Sequence, residues 1–234
     1  MLNVFSIGIV LILIGYMIGG WKNGVVKETA SLIGIIVVFF LSYLLMGVVG
    51  NFLCTILPFF KLDGFVSLNI LIYQGIAFII LFSIFMSLYR LLLKISNGLQ
   101  KLINATIILI IPSKIIGAII GLISGWITMF IVLLVLLVPL KDYDQFKDSQ
   151  VNNFILFNTP ILSETVKPFT KGALEIYDIS SKIANKKIDT NEANLKSIDI
   201  MLKYKLVDKN TIERLVESKK LDKIENLDSI LNNY

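Results

Sequence analysis

The strongest constraint on this chain is the length of its charge-free apolar runs. Between residues 1 and 140, four stretches without Lys, Arg, Asp or Glu are 21, 32, 26 and 26 residues long. A helix needs about 20 apolar residues to cross the roughly 30 Å hydrocarbon core of a bilayer. Only 17% of the chain is charged, against about 25% in a soluble domain. The pattern predicts an all-α integral membrane protein.

The hydropathy pattern divides the chain into two domains. Residues 1–140 are predicted to form a membrane domain with four transmembrane helices, and residues 141–234 a small polar α-helical tail. The charge-free run 29–60 is too long for one crossing, so its end at 50–60 is predicted to be a shallow or re-entrant segment. The four predicted spans are about 2–19, 29–49, 65–89 and 115–140.

A basic amphipathic segment lies between the last two predicted spans. On a helix, Arg90, Lys94 and Lys101 share one face, and leucine and isoleucine side chains occupy the opposite face. This pattern is typical of a helix in the membrane interface, where its cations contact anionic lipid head groups. We therefore predict a basic interfacial helix over about 90–103. The alternative is a solvated extension of the third span.

The distribution of charged residues indicates which partners the chain could bind and how it is oriented in the membrane. Residues 1–140 contain seven Lys or Arg and two Asp or Glu, whereas residues 141–234 contain fifteen of each. The positive charge therefore belongs to the membrane half and does not indicate a nucleic-acid partner. Six basic residues lie in the loops on one side of the predicted bundle and three on the other. This count predicts that the six face the cytoplasm and that both termini lie outside.

The residue types needed for common catalytic chemistry are scarce. The chain has no histidine, which removes the commonest zinc ligand and proton shuttle, and Cys54 is its single cysteine. No metalloprotease, paired-carboxylate or nucleophile-elbow pattern is present in the sequence. We expect no catalytic residues, no metal site and no cofactor, and hence no enzyme.

Glycines recur at helical spacing in two of the predicted spans. Gly117, Gly121 and Gly125 are four residues apart, and Gly15 and Gly19 form a looser stripe with Gly8. In lipid, small residues allow two helix backbones to approach closely. These stripes are predicted to be helix-packing surfaces. The contact is either within the four-span bundle or the seam of a homo-oligomer.

The turn GGWKNGVVKETA at 19–30 combines glycines with charges at the start of the second predicted span. Gly20 and Gly24 permit a sharp change of chain direction. Glu28 falls in the first turn of that span, where its charge suits the helix N-terminus. We expect a structural role for Glu28, with Lys22 or Lys27 as its partner.

This turn resembles the start of the bacterial colicin V production protein (CvpA) family. The family shows a glycine, basic residues, a glycine, two apolar residues, a basic residue and a glutamate. The matching residues here are Gly20, Lys22, Gly24, Lys27 and Glu28. The stretch SKIIGAIIGLISGW at 113–126 resembles the family's glycine-stepped opening of the last span. An aspartate common near the first span of the family is absent, and Asn3 is the nearest candidate.

The resemblance implies a multi-pass protein of the bacterial cell membrane with a non-enzymatic role in toxin production or export, or in envelope homeostasis. The alternative is a small channel or transporter built from glycine-rich broken helices, with Asn69, Gln74 and Ser83 as polar candidates for a pathway. The expected partners are a bilayer with anionic lipids, a second copy of the chain, and an unidentified protein bound by the tail.

Overall fold

The architecture is all-helical, as predicted. A computed structural model describes residues 4–100, 110–221 and 224–234, and it contains helices and no strand within these ranges. The long helices are α1 (Val4–Ile56), α2 (Leu68–Gln100), α3 (Ile110–Leu136) and α6 (Leu162–Ala184). The short ones are α4 (Asp144–Lys147), α5 (Gln150–Asn158), α7 (Thr190–Lys203), α8 (Lys209–Glu217) and α9 (Leu227–Leu231).

Within the described ranges, three helices are long and apolar enough to cross a membrane, at Val4–Ile56, Leu68–Lys94 and Ser113–Leu136. The prediction of four separate transmembrane helices differs from this, because the predicted spans 2–19 and 29–49 both lie on α1. That helix has 53 residues, so a straight course would make it about 80 Å long.

Helix α1 is broken at Gly24, whose φ of 75° and ψ of 172° are not helical. Glycine tolerates a positive φ because it has no Cβ. The break separates a first arm, residues 4–23, from a second arm, residues 25–56. The sequence passes through this point without proline, so glycine is the residue that permits the change of direction.

The predicted basic interfacial helix is not a separate element in the described part of the chain. Helix α2 continues without a break through Arg90 and Lys94 to Gln100. Residues 86–94 contain neither glycine nor proline, so the helical hydrogen bonding of the third span propagates across the first basic residue. Residues 101–103 of the prediction lie outside the described residues.

The chain forms two compact units, each made from two separate stretches. Unit 1 comprises the described residues of Met1–Ser42 and Phe82–Glu164, and unit 2 comprises those of Tyr43–Leu81 and Thr165–Tyr234. The boundary predicted at residue 140 marks a change in amino-acid composition, whereas the two units are defined by contacts between residues. Helices α1, α2 and α6 each contribute to both units.

In unit 1, helix α5 folds back against α3. The indole Nε1 of Trp126 donates a hydrogen bond of 2.9 Å to Thr159 Oγ1, and its ring meets Phe154 edge-on at 5.8 Å. At the start of α1, Ser6 and Ser149 form a buried hydroxyl–hydroxyl hydrogen bond of 3.0 Å. Ser149 also accepts from the Asn152 amide and so caps α5.

In unit 2, buried amide side chains fasten the connection between α1 and α2. Asn69 accepts a 2.7 Å hydrogen bond from the Phe60 amide and donates to the Phe60 carbonyl at 3.0 Å. Asn194 of α7 accepts from Ser67 N and donates to Gly64 O, both at 2.9 Å. The tail therefore holds the connection through hydrogen bonds to its backbone.

The end of α1 is capped by a lysine from the tail. Lys220 Nζ donates to the carbonyl oxygens of Cys54, Thr55 (2.7 Å) and Leu57 (2.8 Å). It also lies 5.3 Å from the ring centroid of Phe59. The last carbonyls of a helix have no partner inside the helix and favour a cation. Burial lowers the pKa of Lys220 below its ordinary value.

Replacement of Asn194 by Ala should destabilise unit 2. Asn194 is only 3% exposed, and its loss leaves the Ser67 amide without its partner and removes one of two hydrogen bonds to the Gly64 carbonyl, a cost of about 1–3 kcal/mol. Thermal unfolding of the purified protein in detergent measures the effect. Asn185→Ala is the matched control, because Asn185 is exposed and bonds only within its own helix end. Equal melting temperatures for the two variants would contradict this account.

Candidate functional site

The site with the most distinctive geometry surrounds the break in α1, where the five residues of the predicted motif turn lie. Gly20 is buried at the end of the first arm, and Gly24 is the break itself. Lys22 and Lys27 are exposed, whereas Glu28 is only 5% exposed. The turn therefore buries its one acidic side chain and leaves its two basic ones at the surface.

The first arm and α3 touch backbone to backbone. A Cβ on Gly20 would overlap the carbonyl oxygen of Gly117 and lie 3.0 Å from Gly121 Cα. A Cβ on Gly121 would lie 2.5 Å from the Tyr16 carbonyl oxygen, and one on Gly125 would lie 2.8 Å from Tyr16 Cβ. We call this contact the glycine crossing. Its two segments run antiparallel, because Tyr16 meets Gly125 and Gly121 while Gly20 meets Gly121 and Gly117.

The break in α1 is supported from α3 by a hydroxyl group. The amide of Val25, which follows the break, donates a 3.2 Å hydrogen bond to Ser113 Oγ. A non-helical residue frees backbone groups, and these need another partner when water is absent. Ser113 supplies one of them.

Gly15 and Gly19 do not belong to the glycine crossing. A Cβ on either residue, or on Gly8, would meet nothing within 4 Å. Within this chain, the predicted stripe of Gly15 and Gly19 therefore makes no close contact with α3. Successive helical residues differ by 100°, so Gly20 lies with Gly24 on a neighbouring face of the helix, and Tyr16 lies at the border between the two faces.

Glu28 is paired with an amide and not with a lysine. Asn23 Nδ2 donates a 3.1 Å hydrogen bond to Glu28 Oε2, across the break. Neither Lys22 nor Lys27 forms an ion pair in the described part of the chain, so the expectation of a lysine partner is wrong. The carboxylate is buried with one neutral hydrogen-bond donor.

Glu28 lines an open groove of about 440 Å³ between the two arms of α1. The second arm contributes Glu28 and Ser31. The first arm contributes a single stripe of residues along its length, namely Ile12, Gly15, Tyr16, Gly19 and Asn23. The open faces of the two glycines make the space for this groove, which is apolar along the first arm and polar at the break.

The remaining predicted site residues are not brought together with this groove by any recorded contact. Arg90 and Lys94 are exposed on α2, and Lys101 lies outside the described residues. In the ranges that the structure describes, no three side chains of His, Cys, Asp or Glu are grouped so as to hold a metal ion.

Sequence reasoning missed Tyr16, Asn23, Ser31 and Ser113 as members of the site. Tyr16 carries a signal, since it precedes Gly20 by four residues and so shares its helical face. No sequence signal identifies Asn23, Ser31 or Ser113. Their positions depend on the angle of the break and on which helix crosses it.

Replacement of Gly20 by Ala should destabilise unit 1, because its Cβ would collide with backbone that no rotamer change can move. Overpacking of this kind costs about 1–3 kcal/mol or more. Gly8→Ala is the matched control on the same arm, where the added Cβ meets nothing. Thermal unfolding in detergent should show a lower melting temperature for Gly20→Ala and an unchanged or slightly higher one for Gly8→Ala. A harmless Gly20→Ala would mean that the crossing is not in close contact.

Comparison with known proteins assigns this site to a family. Residues 5–160 match the sequence profile described as colicin V production protein, and this range contains the glycine crossing, the break and the groove. No curated protein and no solved structure matches the chain. The profile is not that of a known enzyme family. Because the match extends over more than half of the chain, this protein belongs to the colicin V production protein family.

Proposed function

We propose that this protein is a non-enzymatic scaffold or export accessory of the bacterial cell membrane, acting in toxin production or export or in envelope homeostasis. The observation that carries the proposal is the glycine crossing, in which Gly20 contacts Gly117 and Gly121 without intervening side chains. Family membership supports the membrane setting.

The glycine crossing suits a structural joint. Helices in lipid lack a strong hydrophobic drive to associate and depend on close van der Waals contact. A contact between backbones leaves no side chain to rearrange, so the first arm and α3 are held in one register. Such a joint fits a scaffold better than a reaction centre.

The proposed arrangement in the membrane has four crossings, made by the two arms of α1, by α2 and by α3. Its support is that each arm has about 20 or more residues, enough to span the hydrocarbon. The basic count then favours a cytoplasmic position for the loops between the first and second and between the third and fourth predicted spans, with both termini outside the cell. Arg90, Lys94 and Lys101 would contact anionic lipids on the cytoplasmic side.

Two protein partners are part of the proposal. The open glycine face of the first arm, with Gly15 and Gly19, would allow a second copy of the chain to approach closely. The charged surface of the tail would bind an unidentified soluble protein. A nucleic-acid partner is not proposed, since the tail has no excess of basic residues.

A small channel or transporter is the second candidate, and the polar groove at the break favours it. Irregular backbone at membrane depth is tolerated where it lines a cavity. Two of the three polar residues expected along a pathway are used otherwise. Asn69 binds the Phe60 backbone, and Gln74 Nε2 donates to Leu206 O at 2.5 Å.

A complementation experiment tests the scaffold. In a strain lacking its own copy, the wild-type chain and Gly8→Leu should restore survival in detergent stress and secretion of a peptide toxin, whereas Gly121→Leu should not. Gly121 lies in the crossing, and Gly8 has open space around it. Immunoblots of membrane fractions check that each variant accumulates.

The same variants separate the scaffold from the channel. Reproducible single-channel conductance of the purified wild-type protein, abolished by Gly121→Leu and kept by Gly8→Leu, would overturn the scaffold and support the second candidate. Full activity of Gly121→Leu in cells would show that the glycine crossing is not needed for function.

Cysteine labelling tests the proposed orientation. Cys54 is buried and is the chain's single cysteine, so a Cys54→Ala, Asn233→Cys variant has one reactive thiol in the tail. A membrane-impermeant maleimide should label it in intact cells if the tail is outside. Labelling only after lysis would place the tail in the cytoplasm and contradict the count of crossings.

A further inference from the structure

We propose that the groove at the α1 break binds an aminophospholipid, a lipid whose head group carries a primary ammonium beside a phosphodiester. The ammonium would bind Glu28, the phosphodiester would lie near Lys22 and Lys27, and an acyl chain would follow the first arm. This inference rests on the charge and shape of the groove and goes beyond the scaffold role.

The buried carboxylate of Glu28 suits a cationic ligand. Glu28 is 5% exposed, and its recorded partner is the neutral amide of Asn23. A buried carboxylate is stabilised by a counter-charge, so a cation bound beside it would be favourable. Lys22 and Lys27 are exposed and form no ion pair within the described ranges, so neither lysine neutralises the carboxylate there and a cationic ligand could do so.

The apolar wall of the groove favours a lipid over a soluble amine. Its residues Ile12, Gly15, Tyr16 and Gly19 run along the first arm toward Asn23. From Ile12 to Asn23 the helix rises about 16 Å, which is about half of the roughly 30 Å hydrocarbon thickness. One leaflet's acyl chain matches this length, whereas a soluble amine would leave the wall without a partner.

The charges close to the groove in sequence fit a zwitterionic head group. Lys22 and Lys27 flank the break in sequence and are exposed, and Trp21 is exposed beside Lys22. Tryptophan and lysine at the end of a span mark the membrane interface, where head groups lie. Glu28 in the groove would bind the ammonium, and the two lysines close to it in sequence would bind the phosphodiester.

Native mass spectrometry of the full chain tests the proposal. The purified protein in detergent is incubated separately with phosphatidylethanolamine and phosphatidylcholine, which differ in that the trimethylated head group has no N–H donors. The wild type should retain phosphatidylethanolamine roughly tenfold better, as expected for a charge-assisted hydrogen bond. Glu28→Gln should lose this preference. Glu213→Gln, the same change at an exposed site on α8, should keep it.

A second pair of variants keeps the test decisive if Glu28→Gln folds poorly. Gly19→Leu should fill the groove without touching the carboxylate, because a Cβ there meets nothing within 4 Å. It should reduce phosphatidylethanolamine retention severalfold, and Gly8→Leu should not. Far-ultraviolet circular dichroism confirms that each variant is helical.

Three results would overturn the proposal. Equal retention of the two lipids by the wild type would show that the N–H donors of the ammonium do not contribute to binding. Unchanged lipid retention by Gly19→Leu would place the lipid elsewhere. Displacement by the soluble head group glycerophosphoethanolamine alone would show that a soluble amine is the ligand. These readouts are independent of cell survival and toxin secretion, so a failed scaffold proposal would leave them unaffected.

Discussion

The backbone contact between Gly20 and the glycines of α3 is the constraint on which the rest of unit 1 depends. Any Cβ at this point would meet backbone atoms of Gly117 or Gly121, and backbone cannot rotate aside as a side chain can. Glycine weakens a helix in water by about 1 kcal/mol relative to alanine. In lipid the same residue allows the close packing that holds helices together, which explains three glycines on one stripe of α3.

The break at Gly24 follows from this contact and creates the groove. The crossing holds the first arm, and Ser113 holds the amide of Val25 just beyond the break. Because the chain turns between these two supports, Asn23 reaches Glu28 across the break and the carboxylate becomes buried. A structural joint and a polar groove therefore arise from one local feature, and the groove is where we place a lipid head group.

Unit 2 is stabilised by a different type of contact. Buried amide side chains and one lysine of this unit bind backbone groups that would otherwise lack partners, as Asn69, Asn194 and Lys220 do at the connection between α1 and α2. From the sequence alone, Asn69, Gln74 and Ser83 are the polar candidates for a pathway. Their hydrogen bonds show that Asn69 and Gln74 serve the fold.

The sequence by itself determined the all-helical architecture, the apolar helices and the family, because these depend on hydropathy, helix period and local motifs. Only the tertiary structure decided that Gly20 and not Gly19 meets α3, and that Asn23 and not a lysine bonds Glu28. Those outcomes depend on the angle of one glycine and on contacts between residues about 100 positions apart, which no local pattern specifies.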